Sequence, residues 1–220
     1  MKLHIDTSNC TSCLDGSHYF KEKNLFDSWR YKDLNFESGK MYAIVSEYGQ
    51  GCMFLAYLLG GKIPFENVKI FKDDIEITQK YLSEIGWNLE PTNEKYGNST
   101  ARKSVEGALK ITKRNETFSD IQKRFRLTDE RVDRKIKSLS GERWRASAAL
   151  GYALEKEVFF APYCPSNFYY QMYRTGSFKV LQELAANGGI VVLPVGTDSV
   201  LKHLVDECIY LDAPFVFDKI

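Results

Sequence analysis

Long hydrophobic runs are missing from this 220-residue chain. The most apolar stretch, CMFLAYLL, spans only residues 52–59, far short of the ~18 residues that a membrane-spanning helix needs. The opening MKLHIDTSN has no basic region followed by an apolar run, so a secretory signal is not expected. Cysteine is sparse and odd in number: five residues are scattered along the chain, which argues against a disulfide framework and fits a reducing compartment. The expected location is therefore the cytoplasm. An excess of either charge is also missing. Thirty basic residues against 29 acidic ones leave a formal charge of +1, and nothing in that balance asks for nucleic acid or an anionic membrane. What is present, 44% hydrophobic and 27% charged residues, is ordinary globular composition for one domain, or one core with a small insertion.

Four short apolar runs read as buried strands: MYAIV at 41–45, VFF at 158–160, IVVLPV at 190–195 and CIYL at 208–211. Continuous runs of this kind suit a parallel sheet covered on both faces. Helical patterns fall between them, at 52–59, 143–154, 170–186 and 199–205, and the alternation predicts a doubly wound α/β core. The first 38 residues differ. Segments 2–5 and 29–36 alternate weakly between turn-rich stretches, which predicts an antiparallel β layer ahead of the core. Residues 72–138 are strongly charged and carry helical spacing, as in RKSVEGALK and IQKRFRLTDERVDRKIK, which predicts a helical insertion. Its basic run is interleaved with Asp129, Glu130 and Asp133, the pattern of a solvated helix face.

Residues 37–61, ESGKMYAIVSEYGQGCMFLAYLLGG, pass from a strand through a glycine-containing loop into an apolar helix. That is the architecture of a phosphate-binding loop, whose pattern is G-x-x-x-x-G-K-[ST]. Against it the chain reads Ser46, Glu47, Tyr48, Gly49, Gln50, Gly51, Cys52, Met53, so the second glycine is present but the first glycine, the lysine and the hydroxyl are not. Downstream come Leu139, Ser140, Gly141 and Glu142 before the alanine-rich WRASAALGYAL, then EVFFAPYCPSNFY, GGIVVLPVGTD and LKHLVDECIYLD.

In this order and at this length the chain resembles, over nearly all of its extent, the ATP-binding subunit of an ABC transporter. The resemblance implies a P-loop NTPase core of ABC type. It also implies an N-terminal antiparallel β layer and a helical subdomain at approximately 72–155, with 1–71 and 156–220 forming the β layer and core of a single ATP-binding domain. Carried over residue by residue, it places the Walker A lysine on Cys52 and its Mg²⁺-holding hydroxyl on Met53, a thioether with no affinity for a hard cation. The Q-loop glutamine falls near Glu90. The Walker B acids fall on Ala161 and Pro162, or on Tyr163 and Cys164; neither register supplies one, because no Asp or Glu occurs between Glu157 and Glu183. The switch histidine falls on Thr197, and His203, on the predicted helix beyond, is out of register.

Phosphoryl transfer is catalysed by positioning and by charge stabilisation from lysine, metal and a water-orienting group, and the residue type is lost at each of those positions. The resemblance is therefore to a degenerate, pseudo-ATPase member with no catalytic residue. The amides of Gly49, Gln50 and Gly51 can still form an anion nest at the helix start. No cofactor is expected, and ATP at most weakly and without Mg²⁺. Phe20 or Phe26 is a candidate for the adenine-stacking position, with core packing as the other reading. The signature Leu139, Ser140, Gly141, Glu142 survives better. If Glu142 replaces the family's second glycine, its carboxylate opposes a γ-phosphate. If one glycine is deleted, Glu142 takes the glutamine position and is harmless. Ser140 can serve the signature or cap the helix.

The family implies a membrane permease as partner, docked through the helical subdomain and residues 87–91. A second ATP-binding subunit, active or a copy of this chain, completes the implied assembly. Nucleic acid is not implied, and the location becomes the inner face of the membrane, held peripherally through the permease. The other function class is a stand-alone regulatory or binding module that uses the old cleft for another ligand or protein. Finally, His4, Cys10, Cys13 and His18 have metal-ligand spacing, but they fall on the family's first hairpin, which needs no metal, and no metal is expected.

Overall fold

The computed structural model describes residues 1–6, 13–15, 26–28, 33–46, 51–61, 68–90 and 94–211. In chain order the strands are β1 (Lys2–Asp6), β2 (Cys13–Asp15), β3 (Phe26–Ser28), β4 (Leu34–Glu37), β5 (Met41–Val45), β6 (Lys69–Lys72), β7 (Ile75–Glu76), β8 (Gly86–Asn88), β9 (Val158–Phe160), β10 (Ile190–Val195) and β11 (Glu207–Tyr210). The helices are α1 (Cys52–Leu59), α2 (Gln79–Ile85), α3 (Glu94–Gly97), α4 (Ala101–Thr112), α5 (Phe118–Arg124), α6 (Arg143–Ala153), α7 (Ser166–Arg174) and α8 (Lys179–Ala186).

The parallel sheet runs β11-β5-β10-β9-β8, and every pairing in it is parallel. An antiparallel sheet runs β4-β1-β6-β7, and β2 pairs with β3 apart from both. Strand alternation divides the buried side chains between two cores. Tyr42 and Ile44 of β5 join Leu3, Ile5, Phe36 and the α1 leucines under the antiparallel sheet. Met41, Ala43 and Val45 face the opposite core, made with α4 to α8. Within that core α6 is buried along almost its whole length. Its small residues admit close neighbours: a Cβ on Gly151 would lie 2.6 Å from Cδ1 of Trp87. Threonines start three of the helices. Thr78, Thr100 and Thr117 each accept the amide of the third residue on.

The strands expected at 41–45, 158–160 and 190–195 and the helix at 52–59 are found there. Other expectations need correction. The last strand lies one residue earlier than 208–211. The helix expected over 170–186 is two helices, because Gly176 takes a left-handed φ of +69° and the amide of Phe178 turns back to the Met172 carbonyl at 3.0 Å. The stretch 199–205 holds only one 3₁₀ turn, Leu201–His203. Helical structure does not begin at 72: Ile75–Glu76 belongs to the antiparallel sheet and Gly86–Asn88 to the edge of the parallel sheet. Both strands are too short to show a period. Of the segment 29–36, residues 29–32 lie outside the described residues, and Leu34–Glu37 is a strand.

Candidate functional site

In an open parallel sheet the working crevice lies beyond the carboxyl ends of the strands. Here it is bounded by the ends of β5, β10 and β9. Ser46 follows β5, is buried, and its amide donates to the Val195 carbonyl at 3.1 Å. Gly51 stands before α1 at a left-handed φ of +99°, and its carbonyl receives the Leu55 amide at 3.0 Å. Only glycine takes that conformation without strain, which explains the second glycine of the loop pattern. Gly49 and Gln50 lie outside the described residues. Cys52 and Met53 open α1, and of their side chains nothing is described.

Beyond β9 the backbone of Ala161 stays in the sheet, its amide donating to the Val192 carbonyl at 3.0 Å. Cys164 rejoins the sheet by bridging to Val195. Pro162 and Tyr163 lie between these two anchors, half-buried. Tyr163 packs against the core that holds Leu55 and Phe160. Its hydroxyl lies where a Cβ on residue 196 would be 2.5 Å away, so Gly196 makes room for it. The Cys164 thiol is pushed up to about 12, by burial first and by the charge of Glu90 second, with a hydrogen bond involving Tyr169 acting in the opposite sense.

Thr197 is held by neutral groups. The Ser166 hydroxyl donates to the Thr197 carbonyl at 2.9 Å and lies 2.8 Å from the Thr197 hydroxyl, which lies 3.1 Å from that of Ser199. The nearby acid, Asp198, accepts from the Tyr210 hydroxyl at 2.8 Å. His203 is exposed on its 3₁₀ turn.

The segment before α6 is built in the opposite manner. Leu139 is buried, whereas Ser140 and Gly141 are exposed, with Ser140 at a φ of +50°. No side chain caps α6, so Ser140 does not play the capping role. Glu142 is only 7% exposed. Its carboxylate points back into the fold, accepting the Thr128 amide at 2.7 Å and the Thr128 hydroxyl at 3.1 Å, with Nε of Arg131 at 3.6 Å. That arrangement satisfies a buried charge and withholds it from a ligand at Ser140. Arg143 pairs with Glu90, at the end of β8. Arg145 donates to the Ser177 hydroxyl at 3.0 Å and to the Arg126 carbonyl at 3.1 Å. Three of the four residues after Gly141 are thus tied to three different parts of the fold. Trp87, within the expected docking segment 87–91, is engaged with α6: its Nε1 donates to the Ser147 carbonyl at 3.0 Å.

The structure brings Ser46, Tyr163 and Thr197 to the carboxyl-end side of β5 and β10, and Glu90 to the α6 start. The roles of Arg143, Arg145 and Ser166 escaped sequence reading. The partners of Arg143 and Ser166 are 53 and 31 residues away, and Arg145 reaches Ser177, 32 residues on, rather than Glu142 one turn before it. His4 lies 2.9 Å from Asn35 through Nδ1. Cys10, His18 and Phe20 lie outside the described residues, and the side chains of Cys13 and Phe26 are not described. Among the described residues no group of three or more His, Cys, Asp or Glu could hold a metal.

No protein-family model matches the chain, and no curated protein does. Solved structures do. CbiO1 from Clostridium perfringens, part of the ABC transporter complex cbiONQ, superposes with a TM-score of 0.70 at 17% identity, covering 96% of this chain and 84% of that one. A dimeric bacterial ABC transporter cassette gives 0.67 at 18% identity, covering 95% and 94%. A putative ABC transporter ATP-binding protein from Pyrococcus furiosus gives 0.64 at 13% identity, covering 96% and 98%. The fold of this chain is that of the ATP-binding cassette.

Proposed function

We propose that this chain is a non-catalytic, ATPase-like subunit of an ABC transporter. It pairs with an active ATP-binding subunit and docks on a membrane permease at the inner face of the membrane, binding ATP itself at most weakly and without Mg²⁺. The observation that carries the reading is an asymmetry. The positions onto which the resemblance carries phosphate and metal chemistry hold Cys52, Met53, Ala161 to Cys164 and Thr197, while Ser140 and Gly141 stand exposed on a segment fixed by three tethers. The start of α6 carries the partial positive charge of a helix N-terminus, and it presents Ser140 and Gly141 to a γ-phosphate held by the partner. No acid–base group is needed for that contact. Among the described residues no helix is long and apolar enough to cross a membrane, which is in keeping with attachment through a permease. The CbiO1 structure belongs to such a transporter complex and a second neighbour is a dimer, and both support the assembly assigned here.

The test is made in the assembled complex. Ser140→Arg is an exposed change that leaves the fold intact. It lowers the ATPase rate of the complex by about 10²–10³-fold, the usual worth of an oriented contact to developing charge, and Cys52→Ala leaves the rate unchanged. A complex indifferent to Ser140→Arg contradicts the proposal.

A further inference from the structure

Tyr163 is half-buried on a stretch of chain that is stitched along β10 at three points. The Ala161 amide donates to the Val192 carbonyl at 3.0 Å, the Cys164 amide to the Pro194 carbonyl at 3.3 Å, and the Ser166 hydroxyl to the Thr197 carbonyl at 2.9 Å. With its backbone held on both sides, the freedom left to Tyr163 is that of its side chain alone. The ring packs against the core that holds Ile44, Leu55 and Phe160, which is the core on the α1 face of the parallel sheet.

The hydroxyl reaches Gly196. A Cβ added there would lie 2.5 Å from the oxygen and 3.6 Å from Cζ. Gly196 follows Val195, whose carbonyl receives the amide of Ser46, the residue that leaves β5 on the way to Gly51 and α1. The phenol therefore lies at the carboxyl ends of β5 and β10, on the face that carries α1. A ligand enters an open parallel sheet from that end. Lost charges weaken the attraction for an anion but leave its space open, whereas a ring packed against the core takes the space up.

We propose that Tyr163 is a plug: its phenol holds the phosphate end of the crevice shut, and Gly196 is the notch that receives its hydroxyl. The plug rests on the reading of this crevice as a degenerate nucleotide site. It adds that nucleotide is kept out by bulk as well as by the missing lysine and acids. In a pair with an active subunit, nucleotide then loads on the partner's side alone.

The test is isothermal titration calorimetry of the purified full chain with ATP, inorganic pyrophosphate and adenosine, in the absence of Mg²⁺. Tyr163→Ala binds ATP and pyrophosphate about tenfold or more tighter than the wild type, the scale of a steric conflict relieved, and its adenosine binding is unchanged. Gly196→Ala gives a gain of the same sign, because its methyl group meets the hydroxyl at the far end of the tyrosine and turns it out. Adding Tyr163→Phe to Gly196→Ala takes that gain away, since the nearest ring atom is then Cζ at 3.6 Å, an ordinary contact. Circular dichroism verifies the fold of each variant, and the Gly196 pair serves as the test should Tyr163→Ala fail to fold. Wild type and variants that bind pyrophosphate equally, however weakly, overturn the plug and leave the proposed function standing. A gain as large for adenosine as for pyrophosphate overturns the placement of the plug at the phosphate end. Tight ATP binding by the wild type contradicts the plug and the proposed function together.

Discussion

Among the described residues, Ser166, Thr197 and Ser199 beyond β9 and β10 are held by neutral hydroxyls; the residues at the start of α6 are held by charged groups. Ser166, Thr197 and Ser199 share hydroxyl hydrogen bonds, and Tyr163 fills space beside Gly196. Glu142, Arg143 and Arg145 each reach a different neighbour through a charge-assisted bond. Neutral hydroxyls near the surface exchange their partners for water at little cost, whereas a buried carboxylate left without partners is expensive. Charge holds the segment before α6 still, whereas uncharged side chains stand on the side where the proposed reading expects nucleotide chemistry.

The comparison is most easily broken at Glu142. Glu142→Ala leaves the Thr128 amide without its acceptor and removes the partner of Arg131. It should lower stability by about 2–3 kcal/mol, read from urea denaturation. A loss no larger than that of a surface substitution would remove the contrast. A smaller effect is expected on the crevice side, where Ser166→Ala deletes the hydroxyl bonded to Thr197 and should cost about 0.5–1 kcal/mol. The smallest effect is a null. With its thiol pushed up to about 12 by burial, Cys164 should stay unalkylated by iodoacetamide at mildly alkaline pH in the folded protein, as mass spectrometry of the peptides can verify. Rapid native labelling would show an open crevice instead of a packed one.

Much of this architecture was legible because buried parallel strands and an apolar helix announce themselves. MYAIV, IVVLPV and CMFLAYLL are continuous runs with a single structural solution. The break between α7 and α8 was not legible, because helical spacing continues on both sides of Gly176 and only its left-handed φ stops the helix. β8 escaped because three residues, one of them Asn88, show no period. That residue 52 is not a lysine and that no acid occurs between Glu157 and Glu183 was legible directly. What fills the crevice was not, because Tyr163 meeting Gly196 and Glu90 meeting Arg143 are contacts between distant parts of the chain. The direction of the Glu142 carboxylate was not legible, because it follows the Thr128 amide, a backbone group whose position only the folded helices determine.

The central claim is that the chain's own phosphate side is chemically silent. Phosphate release by the purified chain, with Mg²⁺ and millimolar ATP, measures this most directly. Without a lysine at Cys52 or an acid from Ala161 to Cys164, no turnover above buffer is predicted. Turnover by the wild type that is abolished by a substitution within residues 46–53 would contradict it.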